Sequence, residues 1–261
     1  MTYSSDNQTS RLKSYSHSDF KGQMDELVAL YNTPSFIDKD PVQFPRRYAN
    51  RNDIEIVAFL TSVVAWGKRS MILNSADKML AMMGKSPYDF VMSGGYADID
   101  PAFSIHRTFF GRDFIYYCQG LRHVIENHDG LEGVFDVPDI WCGIRRFREE
   151  MAAANGDSFS KHVSCPDKSA CKRIHLALRW LVRDDGIVDL GIWKSVKPAQ
   201  LYIPLDIHVS EVSRDLGLLE RKNDDRTAVE QLTARLRELD AKDPVKYDFA
   251  LFGAGIAIQE K

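Results

Sequence analysis

Residues 53–66 read DIEIVAFLTSVVAW. Ile54, Ile56, Val57, Phe59, Leu60, Val63 and Val64 leave this segment almost no polar side. A helix that is apolar nearly all round belongs in the middle of a fold, covered by others. Asn52 or Asp53 supplies its N-cap, and Gly67 breaks it. The flanking stretches keep the helical period. In Lys21 to Tyr31, Met24, Leu27, Val28 and Tyr31 share one face, and Asn32-Thr33-Pro34 stops the helix. A further helix is expected from about Ser70 to Met83, and others over about 112–128, 139–153, 169–183, 207–216, 226–238 and 246–257. Three prolines make 34–48 an irregular connector. Turn residues dominate 184–205, with Ile187-Val188 and Leu201-Tyr202-Ile203 as candidate short strands. The expected class is all-α with long ordered connectors.

The chain has 261 residues, 44% hydrophobic and 27% charged, which suits one large domain or two small ones sharing an interface. No apolar run approaches the ~18 residues of a membrane helix, so no membrane association is expected. Residues 1–20 lack an apolar h-region and read as a polar N-terminal arm. Cys118, Cys142, Cys165 and Cys171 form no CxxC, which argues for reduced thiols, a cytoplasmic location and no zinc ribbon. The net charge of −3 argues against nonspecific coating of nucleic acid but leaves room for a local basic groove. In 161–183, Lys161, Lys168, Lys172, Arg173, Arg179 and Arg183 are opposed only by Asp167. Such a run is either a solvated helix face or a phosphate-facing surface.

Lys172 lies in SACKRIHLALRWLVR. With Ser169 as N-cap it falls in the first helical turn, at the margin of the stripe Cys171, Ile174, Leu178, Leu181 and Val182. The helix N-terminus and the adjacent Arg173 both disfavour the ammonium, and the neutral amine is the form a nucleophile needs. Most lysines are simply exposed, and that reading stands beside the nucleophile. Asp206, in IPLDIHVSEV, caps the following helix or else holds a carboxylate in a cleft to move a proton or stabilise a cation. His208 completes a D-x-H pair, but no HxH or HExxH accompanies it and no metal is expected. His106 and Arg107 sit beside aromatics, as pocket lining or around a hydrogen-bonded structural histidine. Trp66 and Trp180 have the surface to stack on a base, and Trp180 reads as core. Lys68 and Arg69 are candidate phosphate contacts. No P-loop, dinucleotide fingerprint or GxSxG occurs, and no cofactor is expected.

A lysine opening a helix, an extended stretch, then hydrophobic-Asp-x-His-Val-x-x-Val leading to LGL resembles the helix-hairpin-helix DNA glycosylase superfamily. Endonuclease III and the 8-oxoguanine glycosylases belong to it. DIEIVAFLTSVVAWGKRSMI resembles the buried first barrel helix of endonuclease III. DPVKYDFALFGAGI resembles its late helix ending in a short glycine turn. The resemblance spans about residues 50–255. SACKR, LRW, PLDIH and KYDFALFG also resemble an uncharacterised bacterial family of unknown function near that superfamily. The chain departs from the superfamily pattern in four ways. The glutamine of endonuclease III that enters the DNA stack falls near Val64, with Trp66 the nearest residue able to wedge or stack. CPDKSA stands where Leu-Pro-Gly-Val-Gly is usual. Lys172 and Asp206 are 34 residues apart, with an insertion at about 184–200. The four-cysteine cluster motif is missing.

The resemblance implies a two-lobed helical fold. A barrel lobe would span 53–183, and a second lobe would combine 21–52 with 184–261. It implies a DNA base-excision repair glycosylase, with or without lyase activity, acting on damaged duplex DNA. Lys172 would attack C1′, and Asp206 would stabilise the developing cation. Lys161, Lys168, Arg173 and Arg69 would contact phosphates. Two other readings stay open. One is a noncatalytic nucleic-acid-binding module of the same fold. The other is a helical protein for a small-molecule or protein ligand, in which Lys172 and Asp206 form only an ion pair. The enzyme reading requires both side chains to open onto one cleft.

Overall fold

The computed structural model describes residues 17–259. Its helices are α1 (His17–Tyr31), α2 (Pro34–Ile37), α3 (Arg51–Val63), α4 (Arg69–Met83), α5 (Pro87–Ser93), α6 (Gly111–Asn127), α7 (Gly130–Phe135), α8 (Ile140–Ala153), α9 (Lys172–Val182), α10 (Ile207–Asp215), α11 (Arg226–Leu239) and α12 (Asp248–Gln259). Among the described residues the only sheet is an antiparallel hairpin of β1 (Ser104–His106) and β2 (Phe109–Phe110). The class is all-α. No helix among the described residues is long and apolar enough to cross a membrane. Residues 1–16 of the expected polar arm lie outside the described residues, and 17–20 belong to α1.

Helix α3 is the central one, with every residue from Asp53 to Val63 buried. Its cap is Asn50 rather than Asn52 or Asp53: the Asn50 side chain accepts from the Asn52 amide at 2.9 Å. Asp53 instead accepts from the Tyr88 amide at 2.8 Å and so ties α5 to α3. The helix ends at Val63, before Gly67, which lies in the loop to α4. The connector 34–48 is more regular than its prolines suggest. Pro34, Pro41 and Pro45 each open a short helix or 3₁₀ turn, where the missing N–H has no bond to lose. Neither 187–188 nor 201–203 forms a strand. The extended Ile203 amide donates to Thr233 Oγ1 at 3.1 Å, a side-chain partner in place of a neighbouring strand.

Helix α9 packs on α3, α6 on α8, and α12 on both α1 and α10. The glycines of DFALFGAGI lie inside α12 and not in a turn after it. A Cβ on Gly253 would come within 2.3 Å of the Tyr31 ring, and one on Gly255 within 2.9 Å of His208 Cβ. Their absence lets α1 and α10 lie directly against α12. Trp141, Trp180 and Trp193 are fully buried, so Trp180 is core.

The 184–200 connector is pinned to the helices. Trp193 Nε1 donates to Glu55 Oε1 at 2.7 Å. Glu132 Oε1 accepts from the Lys194 and Ser195 amides, each at 2.6 Å. Against the push of burial, these bonds hold the Glu132 carboxyl below its ordinary range. Two of the six basic residues of 161–183 are no part of a basic surface. Arg179 and Arg183 are buried. Arg179 pairs with Asp189 at 3.2 Å and with Asp248. Arg183 pairs with Asp243 at 2.9 Å, Asp185 at 3.1 Å, and Asp189.

His175 of α9 is buried edge-on to Trp141 at 4.8 Å, and neither ring nitrogen has a hydrogen-bond partner. Burial pulls its pKa down to about 3. The folded value lies below the unfolded one of about 6.5, so the unfolded chain binds a proton that the folded protein refuses. Stability from this residue is therefore complete above about pH 6.5 and lost as pH falls toward 3, by at most roughly 1.4 kcal/mol per unit. Urea denaturation between pH 6.5 and 4 is expected to show a shallower acid loss in His175→Leu than in the wild type. Equal slopes would show that His175 does not carry this acid sensitivity.

Candidate functional site

The turn before α9 contains no glycine, yet Cys171 adopts the left-handed conformation at φ 48°. Ser169 is not the helix cap: its Oγ accepts from the Cys171 amide at 3.2 Å and holds that turn, and Lys172 becomes the first residue of α9. Lys172 Nζ donates to Ala65 O at 3.0 Å, and Arg173 Nη1 to Val63 O at 3.1 Å. Two cations at the start of α9 thus satisfy carbonyls left over at the end of α3. Asp206 caps α10, its Oδ1 accepting from the Val209 amide at 3.0 Å. Its Oδ2 lies 3.8 Å from Lys172 Nζ. One oxygen holds the helix and the other faces the lysine. The two side chains are 25% and 19% exposed, within reach of solvent.

Both line one cleft of about 1020 Å³. Trp66, Arg69, Lys161, Arg173 and His208 line it too, whereas Lys68, His106, Arg107 and Lys168 do not. His106 is buried, bonded through Nδ1 to Ser75 Oγ at 2.9 Å and through Nε2 to Trp66 O at 2.8 Å. Burial keeps its imidazole below the ordinary histidine range. It is the structural histidine of the two readings, and it meets the Trp66 ring edge-on at 5.0 Å. The Arg107 guanidinium lies 4.8 Å from the Trp66 ring centre. A Cβ on Gly67 would come within 2.8 Å of Arg107 Nη1, and at φ +91° the position favours glycine on conformational grounds as well. Trp66 is thereby fixed from behind while lining the cleft. Lys68 and Lys168 are exposed in the loops before α4 and α9. His208 packs against Phe252, ring centres 5.9 Å apart.

Four polar lining residues escaped the sequence reading: Asp40, Thr108, His162 and Asp248. Asp40 caps the 41–43 turn through the Val42 amide at 2.9 Å, and Asp248 opens α12. With Asp206, three carboxylates start three helical segments, where free amides and the helix dipole favour negative charge. Opposite them, α9 places Lys172, Leu176 and Arg179 on one face, at i, i+4 and i+7. That spacing was the legible signal for Arg179. Burial pushes the Asp40 carboxyl up, against the pull of Arg179. Burial also lifts Asp248 to about 6, opposed by Arg179 and Lys172 and reinforced by Asp206. His162 Nε2 bonds to Thr108 O at 3.0 Å, and burial lowers its pKa against the pull of Asp113. No residue of 184–200 lines the cleft.

A family model described as a protein of unknown function, DUF2400, matches residues 40–257. No curated protein and no solved structure matches the chain. The family match covers every cleft residue but Phe36. The chain therefore belongs to the DUF2400 family.

Proposed function

We propose that this protein is a DNA base-excision glycosylase with a lysine nucleophile. The observation that carries this reading is the Lys172–Asp206 pair, 3.8 Å apart in one cleft of about 1020 Å³. Arg69, Lys161 and Arg173 line the same cleft, and exposed Lys168 lies in the turn leading to it, all suited to phosphates. The two-lobed arrangement belongs to this proposal: 53–183 supplies Trp66 and Lys172, and 21–52 with 184–261 supplies Asp40, Asp206 and Asp248.

In this mechanism a damaged nucleotide leaves the stack, and its base enters the cleft beside Trp66. Lys172 sheds a proton and its lone pair forms a bond to C1′. The glycosidic C1′–N bond breaks, and its electron pair leaves with the base, which then takes up a proton. Asp206 accepts the lysine's proton and passes it to the departing base, and the carboxylate so regained stabilises the positive charge that develops on the sugar. The covalent adduct opens to a Schiff base between Nζ and C1′.

One observation favours a noncatalytic nucleic-acid-binding module instead. Arg173 makes the same kind of bond to Val63 O that Lys172 makes to Ala65 O, so capping α3 alone accounts for both side chains. Borohydride trapping separates the two readings. Duplexes carrying an abasic site, 8-oxoguanine, uracil or alkylated bases are expected to give an adduct with the wild type and none with Lys172→Ala. Asp206→Asn keeps a capping side chain and is expected to trap roughly 10²-fold more slowly. No adduct on any of the four duplexes would leave the binding module.

Both nucleic-acid readings expect binding that weakens steeply with salt. Lys161→Ala is expected to reduce the slope of log K against log salt by about 1. A wild-type affinity indifferent to salt would point to the small-molecule or protein ligand.

A further inference from the structure

Three side chains that line the cleft carry a buried polar atom with no hydrogen-bond partner among the described residues: Trp66 Nε1, Arg179 Nη2 and His208 Nδ1. Buried polar groups are otherwise almost always paired. The orphaned atoms of Trp141, His175 and Trp180 lie in the core away from the cleft, whereas a bound molecule can reach these three. Trp66 Nε1 and Arg179 Nη2 can only donate, and His208 Nδ1 donates or accepts according to its tautomer. Arg179 is 2% exposed and already gives Nε to Asp189 and Nη1 to Asp248. Its guanidinium lies 4.4 Å from the Phe249 ring centre, and these contacts fix where Nη2 stands. Trp66 is held as firmly by His106 and Arg107. The three atoms surround Lys172. Trp66 follows Ala65, whose carbonyl takes Nζ, and His208 lies two residues after Asp206. Arg179 lies about two turns along α9 from Lys172.

The rest of the lining decides what kind of molecule fits. Leu176, Leu205, Phe252 and Ile256 give the cleft apolar walls, which suit a flat ring better than a bare phosphate. Its five lysines and arginines outnumber its three aspartates, which disfavours a cationic ligand. We propose that the cleft selects a base bearing ring oxo groups, read by the Trp66 and Arg179 donors, and rejects bases made cationic by alkylation. That the ring belongs to a nucleotide rests on the glycosylase reading. Uracil and 8-oxoguanine carry such oxygens, whereas N1-methylated adenine carries none and is a cation. Donors fixed before binding lose little freedom when they pair, and a ring without acceptors leaves them unmet.

The test reads the cleft without DNA and without turnover. Ligand-observed NMR titrations at neutral pH use 2′-deoxyuridine, 8-oxo-2′-deoxyguanosine and 1-methyl-2′-deoxyadenosine. The two oxo nucleosides are expected to bind, and the methylated one to bind at least about tenfold more weakly. Trp66→Phe keeps an aromatic face and removes the donor. It is expected to weaken both oxo nucleosides roughly three- to tenfold, the contribution of one neutral hydrogen bond. Arg179→Lys keeps a cation for Asp248, removes Nη2, and is expected to weaken them further, since its donor is charged. Far-UV circular dichroism and a thermal melt check that the variants are folded. Trp66→Phe carries the test if Arg179→Lys does not fold.

A methylated nucleoside that binds as tightly as the oxo ones overturns the proposal. So does an affinity for the oxo nucleosides that folded Trp66→Phe leaves unchanged, and so does the absence of binding by all three. Binding as expected with no adduct on any duplex sinks the glycosylase reading and leaves the selectivity standing. Adducts on the abasic and alkylated duplexes alone keep the nucleophile and overturn the selectivity.

Discussion

Helix α9 and the residue that ends it carry two arginines, Arg179 and Arg183, into the interior, and the rest of the chain has to bring carboxylates to them. An unpaired guanidinium at that depth would cost several kcal/mol, and removing one partner of such a pair typically costs about 3–5 kcal/mol. The partners lie between 2 and 69 residues along the sequence. Asp189 serves both arginines, Asp185 and Asp243 serve Arg183, and Asp248 serves Arg179. Meeting that demand draws the 184–200 connector and the start of α12 onto α9. Because α12 packs on α10, it also sets where α10 begins. Asp206 faces Lys172 as a consequence of how the core charges are paired, and the site is built beside a buried ion-pair network.

Most of the helical content was legible because it follows from periodicity. A segment such as 53–66 has nowhere to go except the interior, and α3 is found there. What was not legible is local geometry that depends on distant partners. Asp53 looks like a cap from its neighbours alone, but α5 uses it and Asn50 does the capping. Leu201-Tyr202-Ile203 has strand-like residues but no strand beside it, because Thr233 on α11 takes the amide that a ladder would use. Gly253 and Gly255 look like a helix end until Tyr31 and His208 are seen against them.

The site divides along the same line. Lys172 and Asp206 stand in local patterns, each at a helix start, and a one-dimensional reading finds them. Asp40 and Asp248 carry no such mark. Asp40 precedes a proline in what looks like a loop, and Asp248 sits in an aromatic stretch that reads as core. The charge run of 161–183 misleads in the opposite direction. Arg179 and Arg183 extend a basic run in the sequence, but α9 and its C-cap turn them inward to aspartates 2 to 69 residues away. Charge counted along a helix says little about a surface until its phase is known.

The bond from Lys172 to Ala65 O bears on how a capping lysine and a nucleophile relate. A lysine that only caps α3 needs no carboxylate beside it, and Arg173 caps Val63 without one. Lys172 has Asp206 at 3.8 Å as well as the carbonyl, and it remains partly exposed. An ammonium held by a carbonyl and a carboxylate is well placed but in the wrong protonation state for attack. Leaving the carbonyl frees the side chain, and losing the proton activates it. In the glycosylase we propose, the same lysine serves first as a helix cap and then as a nucleophile.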